Sequence, residues 1–139
     1  MRYKKILIAL DCTDEENNVI REAIGLASTL KAELMAVHVN DPAAGKAHMM
    51  MDSLALNTEN DLRDQFRKLG FEKEANEIKV TMVESPDYAM EIAKVTKDAD
   101  LLVIGHHPKN RFLAAVMDST DERVSDLVSC PMLVVPCGQ

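Results

Sequence analysis

The sequence predicts a doubly wound α/β fold, a single domain in which five parallel strands form one sheet flanked by four helices. Three observations predict it. Short, wholly apolar runs alternate with stretches whose apolar residues recur at helical spacing. Turn or capping residues bound nearly every run. The chain has 139 residues, 47% hydrophobic and 28% charged, which is the composition of one ordinary domain. A chain of that length buries roughly two-thirds of its unfolded surface, so the core needs neither metal nor disulfide.

The elements follow in order. Residues 6–10 are a fully apolar block ended by Asp11-Cys12-Thr13, as expected of a strand covered on both faces. Thr13-Asp14-Glu15-Glu16 fits a capping box, with acids in the first turn where the helix dipole favours them. Val19, Ile20, Ala23, Ala27 and Leu30 then repeat at helical spacing. Residues 34–39 make the second strand, which ends at Asn40-Asp41-Pro42. Residues 43–56 are rich in Ala and Met and show no clear period. Leu62, Phe66 and Leu69 give a helical stripe that stops at Gly70, a C-cap residue. Residues 78–83 alternate apolar and polar, the mark of a strand with one exposed or edge face. Ser85-Pro86 reads as an N-cap with proline at the first helical position, and Ala89, Ile92, Ala93 and Thr96 line the buried side. Residues 100–105 are the strongest buried strand. Ser119 and Glu122 form a second capping box before Val124, Leu127 and Val128, and residues 132–135 are the last strand. Helical crossovers make the neighbouring strands parallel and the connections right-handed.

Charge and composition exclude several functions. Sixteen Lys and Arg against 23 Asp and Glu leave a net charge of −7, the wrong sign for a nucleic-acid or anionic-membrane surface. Trp is absent and aromatics are 4%, so stacking platforms for single-stranded bases are not expected. The first apolar run is too short for a signal peptide, and no stretch approaches the ~20 apolar residues of a membrane span. Cys12, Cys130 and Cys137 are odd in number and lack C-x-x-C spacing, so they read as reduced thiols of a cytoplasmic protein.

Ligands of such folds bind beyond the carboxyl ends of the strands. Those ends are Asp11-Cys12-Thr13, Val39-Asn40, Glu84-Ser85 and the stretch from Gly105 to Ser119. Here the chain resembles the universal stress protein (UspA-like) family over essentially its whole length. The residues that carry the likeness are Tyr3-Lys4-Lys5-Ile6-Leu7-Ile8 with Asp11, His38-Val39, Asp100 through Gly105, Ser119 with Glu122-Arg123-Val124, and Cys130-Pro131-Met132-Leu133-Val134-Val135. The resemblance implies a Rossmann-like fold of the adenine nucleotide alpha hydrolase-like group, a homodimer, and a role in stress tolerance without firmly assigned chemistry. Some members of that family bind ATP through a motif of Gly, two residues, Gly, nine residues, then Gly-Ser or Gly-Thr, and others lack it.

This chain keeps the spacing and loses two glycines. Gly105 and Ser119 stand at the ends of the motif, whereas Pro108 and Asp118 replace its second and third glycines. Glycine there lets backbone N–H groups approach phosphate oxygens. Proline has no N–H and a fixed φ. Asp118 is the heavier objection, since one like-charge pair at ~5 Å costs about 3 kcal/mol at an effective dielectric of 20. A helix N-terminus returns only ~1 kcal/mol. A magnesium ion bridging Asp118 and a phosphate would reverse the sign. The expectation is an eroded nucleotide site on a non-catalytic module. The competing reading keeps adenine-nucleotide affinity through Asp11, Val39, Gly105, His106, Ser119 and Thr120, with at most slow ATPase activity.

Other residues have plainer readings. His106-His107 with Lys109 and Arg111 is a solvated loop, or a cationic loop for some other anion. A zinc site would need two more converging ligands that no spacing predicts. Ile104-Gly105-His106-His107 has a superficial likeness to the HIGH signature of class I aminoacyl-tRNA synthetases, which belongs after a first strand, and no PP-loop follows strand one. His48-Met49-Met50-Met51 offers soft ligands, but three consecutive methionines cannot face one ion on a helix, so an adaptable apolar surface is expected. Asp11 is the nucleotide-pocket acid by family position and a strand cap by its own chemistry. His38 is read as structural. Cys12 has no visible partner to lower its pKa. The resemblance implies that the last strand lies at a sheet edge and pairs with its twin across a two-fold axis, which would cover an apolar edge; Pro136 fits that pairing and also fits a blunted edge on a monomer.

Overall fold

Residues 6–9 carry no polar side chain, and such a run is stable only where helices cover both faces and strands flank both edges. The computed structural model, which describes residues 2–42, 56–106 and 123–137, puts that run in such a place. Strand β1 (Lys5–Ala9) leads through a 3-10 turn (Asp14–Glu16) into helix α1 (Asn17–Leu30) and strand β2 (Glu33–Asn40). Helices α2 (Glu59–Lys68) and α3 (Glu72–Glu77) precede strand β3 (Lys79–Glu84). Helix α4 (Tyr88–Thr96) leads to strand β4 (Leu101–His106), and a helical segment at 123–127, α5, precedes strand β5 (Met132–Pro136).

All strand pairs are parallel, in the order β3-β2-β1-β4-β5. The predicted parallel α/β sheet is therefore present, and the alternating residues of β3 do form an edge strand. Side chains leave the sheet on alternate faces. Ile6, Ile8 and Leu10 pack with Val19, Ile20 and Ala23 of α1, Leu62 and Phe66 of α2, and Ala75 of α3. Leu7 and Ala9 pack on the other face with Ala89 and Ile92 of α4 and Val124 of α5.

Three expectations are corrected. The most buried strand is β1, not β4: Ile6, Leu7 and Ile8 are all 0% exposed, while Ile104 retains 4% and Leu101 is half-buried. The cause is position, because β1 alone is central among five strands. Helix α4 is capped by Asp87, which accepts from Met90 N–H at 3.3 Å, and not by Ser85. Ser85 Oγ instead accepts from the Asp87 N–H at 3.1 Å and shapes the turn before the helix. Helix α3 was not expected from apolar spacing. It follows Gly70, whose φ of 89° suits a residue without Cβ and ends α2 as predicted.

The amino end of the sheet is tied by one carboxylate. Asp100 Oδ2 accepts from the backbone N–H of Lys4 at 2.8 Å and of Lys5 at 2.9 Å, and the Asp100 N–H donates to the Lys5 carbonyl. Those N–H groups, followed by the nearby lysine charges, hold the Asp100 carboxyl below its ordinary 3.8. A depressed folded value means the carboxylate stabilises the fold above that range and stops doing so as pH falls through it. Among the described residues no helix is long and apolar enough to cross a membrane.

Two outcomes follow. Ile8→Ala should lower stability by roughly 2–5 kcal/mol, read from urea midpoints, because it opens a cavity at the sheet centre. Asp100→Ala should lower the midpoint at neutral pH, and its gap from the unmodified protein should narrow as pH drops below about 4. A gap independent of pH would mean that the carboxylate charge does not carry the effect.

Candidate functional site at the carboxyl edge of the sheet

The connection leaving β1 runs to β2 on one side, and the connection leaving β4 runs to β5 on the other. Chain departure in opposite directions opens a crevice between adjacent strand ends, where ligands of doubly wound folds bind. Register places the sequence-predicted residues along this edge. Ala9 pairs with Val37 and with Ile104. Val39, Asp11 and His106 thus each lie two residues further along three adjacent chains, with Gly105 just behind. Pro108, Asp118, Ser119, Thr120, His107 and the methionines Met49, Met50 and Met51 lie outside the described residues.

The turn after β1 is built around Glu16. The predicted capping residue is 1% exposed, an expensive place for a charge unless donors surround it. Three do. Glu16 Oε2 accepts from the Asp11 N–H at 2.7 Å, and Oε1 accepts from the Thr13 N–H at 3.3 Å and from Gln65 Nε2 at 3.2 Å. Gln65 Nε2 also donates to the Thr13 carbonyl at 2.9 Å, tying α2 to the turn. Burial, then the Asp11 charge, pushes the Glu16 carboxyl above its ordinary 4.5, against the pull of those hydrogen bonds. Between the two clasped amides Cys12 has φ 64°, a left-handed conformation that costs a residue with a Cβ about 1–3 kcal/mol. Sequence reasoning read Glu16 as a cap and missed Gln65. A signal was present: Gln65 lies three residues after Leu62 and beside Phe66, inside the apolar stripe.

His38 has the structural role expected of it. Its ring is buried, and Nδ1 donates to the Leu10 carbonyl at 2.6 Å, tying β2 to the end of β1. Nε2 lies 2.9 Å from Asn40 Oδ1 and 3.4 Å from Asn57 Nδ2. The Asn40 amide pairs with the Asn57 backbone, accepting from its N–H at 3.0 Å and donating to its carbonyl at 2.8 Å. That clasp anchors the chain entering α2 against the edge.

Gly105 owes its identity to packing. A Cβ there would lie 2.5 Å from Cys137 Sγ and 2.9 Å from Val19 Cγ2, closer than carbon tolerates. Cys137 itself is held by its N–H bond to the His106 carbonyl at 2.8 Å. Both thiols of this edge are kept protonated. Burial and then Glu16, Asp61 and Asp11 push Cys12 up to about 12. Burial and then Glu16, Asp11 and Glu15 push Cys137 up to about 11. Neither is a ready nucleophile. Among the described residues no three His, Cys, Asp or Glu side chains converge as a metal site.

Gly105→Ala should therefore lower stability by about 1–3 kcal/mol, read from urea midpoints without any ligand. Gly105→Ala with Cys137→Ala should recover part of the loss. A neutral Gly105→Ala would show that the close packing yields freely.

Comparison with known proteins agrees with this architecture. The sequence profile of the universal stress protein family matches residues 2–136. A universal stress protein A homolog of Pasteurella multocida is 29% identical over 140 residues, covering 96% of each chain. A universal stress protein of Methanocaldococcus jannaschii is 31% identical over 142 residues, 96% of this chain and 82% of that one. Among solved structures, universal stress protein UspA from Lactobacillus plantarum superposes with a TM-score of 0.66 at 24% identity, covering 97% of this chain and 99% of that one. A universal stress protein in complex with cAMP gives 0.68 at 20% identity, over 99% of this chain and all of the other. With a profile that spans nearly every residue and a sheet of the same fold, the chain belongs to the universal stress protein family.

Proposed function

We propose that the protein is a non-catalytic, dimeric stress-response module whose nucleotide site is eroded. One feature supports it above the others: among the described residues, Glu16 and Asp11 place acidic charge beside the β1/β4 crevice. Two thiols there are pushed up by the same carboxylates, Glu16 and Asp11, after burial. A triphosphate would have to enter that field, and Asp118 adds a further carboxylate at the motif position that otherwise carries glycine. Each like-charge pair at ~5 Å opposes binding by about 3 kcal/mol at an effective dielectric of 20. Pro108 offers no N–H to offset this. The protonated state of Cys12 supports the non-catalytic reading, and three free cysteines fit a reducing cytoplasm.

A second reading keeps a nucleotide of low charge at Asp11, Val39, Gly105, His106, Ser119 and Thr120, with Mg-ATP weaker. It is favoured by the structural relative in complex with cAMP, a monoanion that meets less repulsion than ATP. Titration calorimetry with Mg-ATP and with cAMP separates the two. The unmodified protein should bind neither at micromolar concentration, and Pro108→Gly with Asp118→Gly should create Mg-ATP affinity. Micromolar Mg-ATP binding that is unchanged in the double variant would sink the eroded-site reading, and micromolar cAMP binding would establish the second.

The dimer is proposed through β5. Among the described residues that strand pairs with β4 alone and is the last of the sheet, and its Val134 is 42% exposed. An uncovered apolar edge invites pairing, and a two-fold axis satisfies it without leaving a further edge. Val134→Lys should sediment as a monomer while keeping its circular dichroism. A Val134→Lys variant that sediments as the same dimer places the interface elsewhere, and an unmodified protein that sediments as a monomer removes the dimer altogether.

A further inference from the structure

The turn after β1 holds a left-handed residue inside a clasp made by one carboxylate. Glu16 accepts from the N–H before Cys12 and from the N–H after it, and so sets the backbone on both sides. Every described hydrogen-bond partner of that carboxylate is a donor: two backbone N–H groups and Gln65 Nε2. A proton placed on Glu16 turns one acceptor into an O–H that faces donors and must seek an acceptor.

One is close by. Gln65 Oε1 is the one buried side-chain polar atom without a partner among the described residues. A half-turn of the same amide presents Oε1 to the Glu16 O–H and withdraws Nε2 from the Thr13 carbonyl, where it now donates at 2.9 Å. Protonation at Oε1 thus removes the holds on the Thr13 flank of Cys12, and leaves the Asp11 N–H on Oε2 facing a neutral carboxyl in place of a carboxylate. A strained residue with weakened holds has a second conformation available, and two discrete arrangements are what a switch requires.

We propose that residues 11–13 form a proton-operated switch, in which ionised Glu16 clasps the turn and protonated Glu16 turns to Gln65 and releases it. The neighbouring groups act in one direction. Among the described residues Asp11 and Cys12 face Glu16 from the turn and Cys137 faces it from the end of β5, while Asp61 of α2 acts on Cys12. None of these is a cation. Burial and Asp11 place the transition above Glu's ordinary 4.5. Because the turn borders the crevice, its release reshapes the wall beside Gly105 and His106. That consequence rests on the functional reading above; the two states of the turn do not.

The experiment is a proton–nitrogen correlation titration of the whole protein, without nucleotide, from about pH 4 to about pH 8 with the Glu16 carboxyl carbon observed in parallel. The Asp11, Cys12 and Thr13 amides and the Gln65 side-chain amide should move together with the Glu16 carboxyl, at one midpoint above 4.5. Glu16→Gln should show the acid-limit positions already at neutral pH. If that variant does not fold, the titration of the unmodified protein decides alone. Turn amides that stay still while the Glu16 carboxyl titrates would overturn the switch, as would a Glu16 carboxyl that titrates at its ordinary value. Neither result bears on the calorimetry, so failure here and failure of the nucleotide reading are told apart.

Discussion

Strand β1 is hydrogen-bonded along both edges and covered on both faces, and the placement of every other element follows from that. Its partners on either side are β2 and β4, so the chain must leave it by a crossover and return to the far side later. Right-handed connections then put α1, α2 and α3 on one face and α4 and α5 on the other. The crevice between β1 and β4 is a consequence of the same geometry. A polar substitution in residues 6–9 would meet apolar side chains whichever face it pointed to.

The two ends of β1 are finished by carboxylates with opposite physics. Asp100, at the amino end, sits near solvent among backbone N–H groups and lysines, and its charge is favoured. Glu16, at the carboxyl end, is buried beside another acid, and its charge is disfavoured although three donors face it. Hydrogen bonds stabilise both, yet desolvation outweighs them only where water is excluded. The amino end is therefore a lock. The carboxyl end stores strain and unfavourable charge, the usual condition of a functional edge.

The same electrostatics bear on what the crevice can hold. A helix N-terminus and a few free amides attract anions weakly, and a fixed carboxylate repels them more strongly at similar distance. Of the carboxylates around Cys12 and Cys137, Glu16 belongs to the structure of the turn itself, since it clasps the backbone there, whereas Asp61 stands on α2.

The five strands, and the helices whose apolar residues recur at regular spacing, were legible in the chain because both periods are local. Strand ends were legible for the same reason, which is why Asp11, Val39, Gly105 and His106 were found at the edge they occupy. Helix α3 was not, because its six residues carry one buried apolar side chain, Ala75. It is held from outside, by Arg63 on the Ala75 carbonyl and Arg67 on Glu72 and Asn76. The centrality of β1 was hidden too, since β1 and β4 both carry a run of four apolar residues and pairing order puts β1 at the centre. Gly105 looked like a residue kept for phosphate, and its packing against Cys137 appeared only when β5 was laid beside β4. Glu16 was legible as the acid of a capping box, which it is, but its burial appeared only when α2 closed over it with Gln65. Period and capping are properties of neighbouring residues. Burial of a charge depends on which distant segment excludes the water, and that is decided when the helices dock on the sheet.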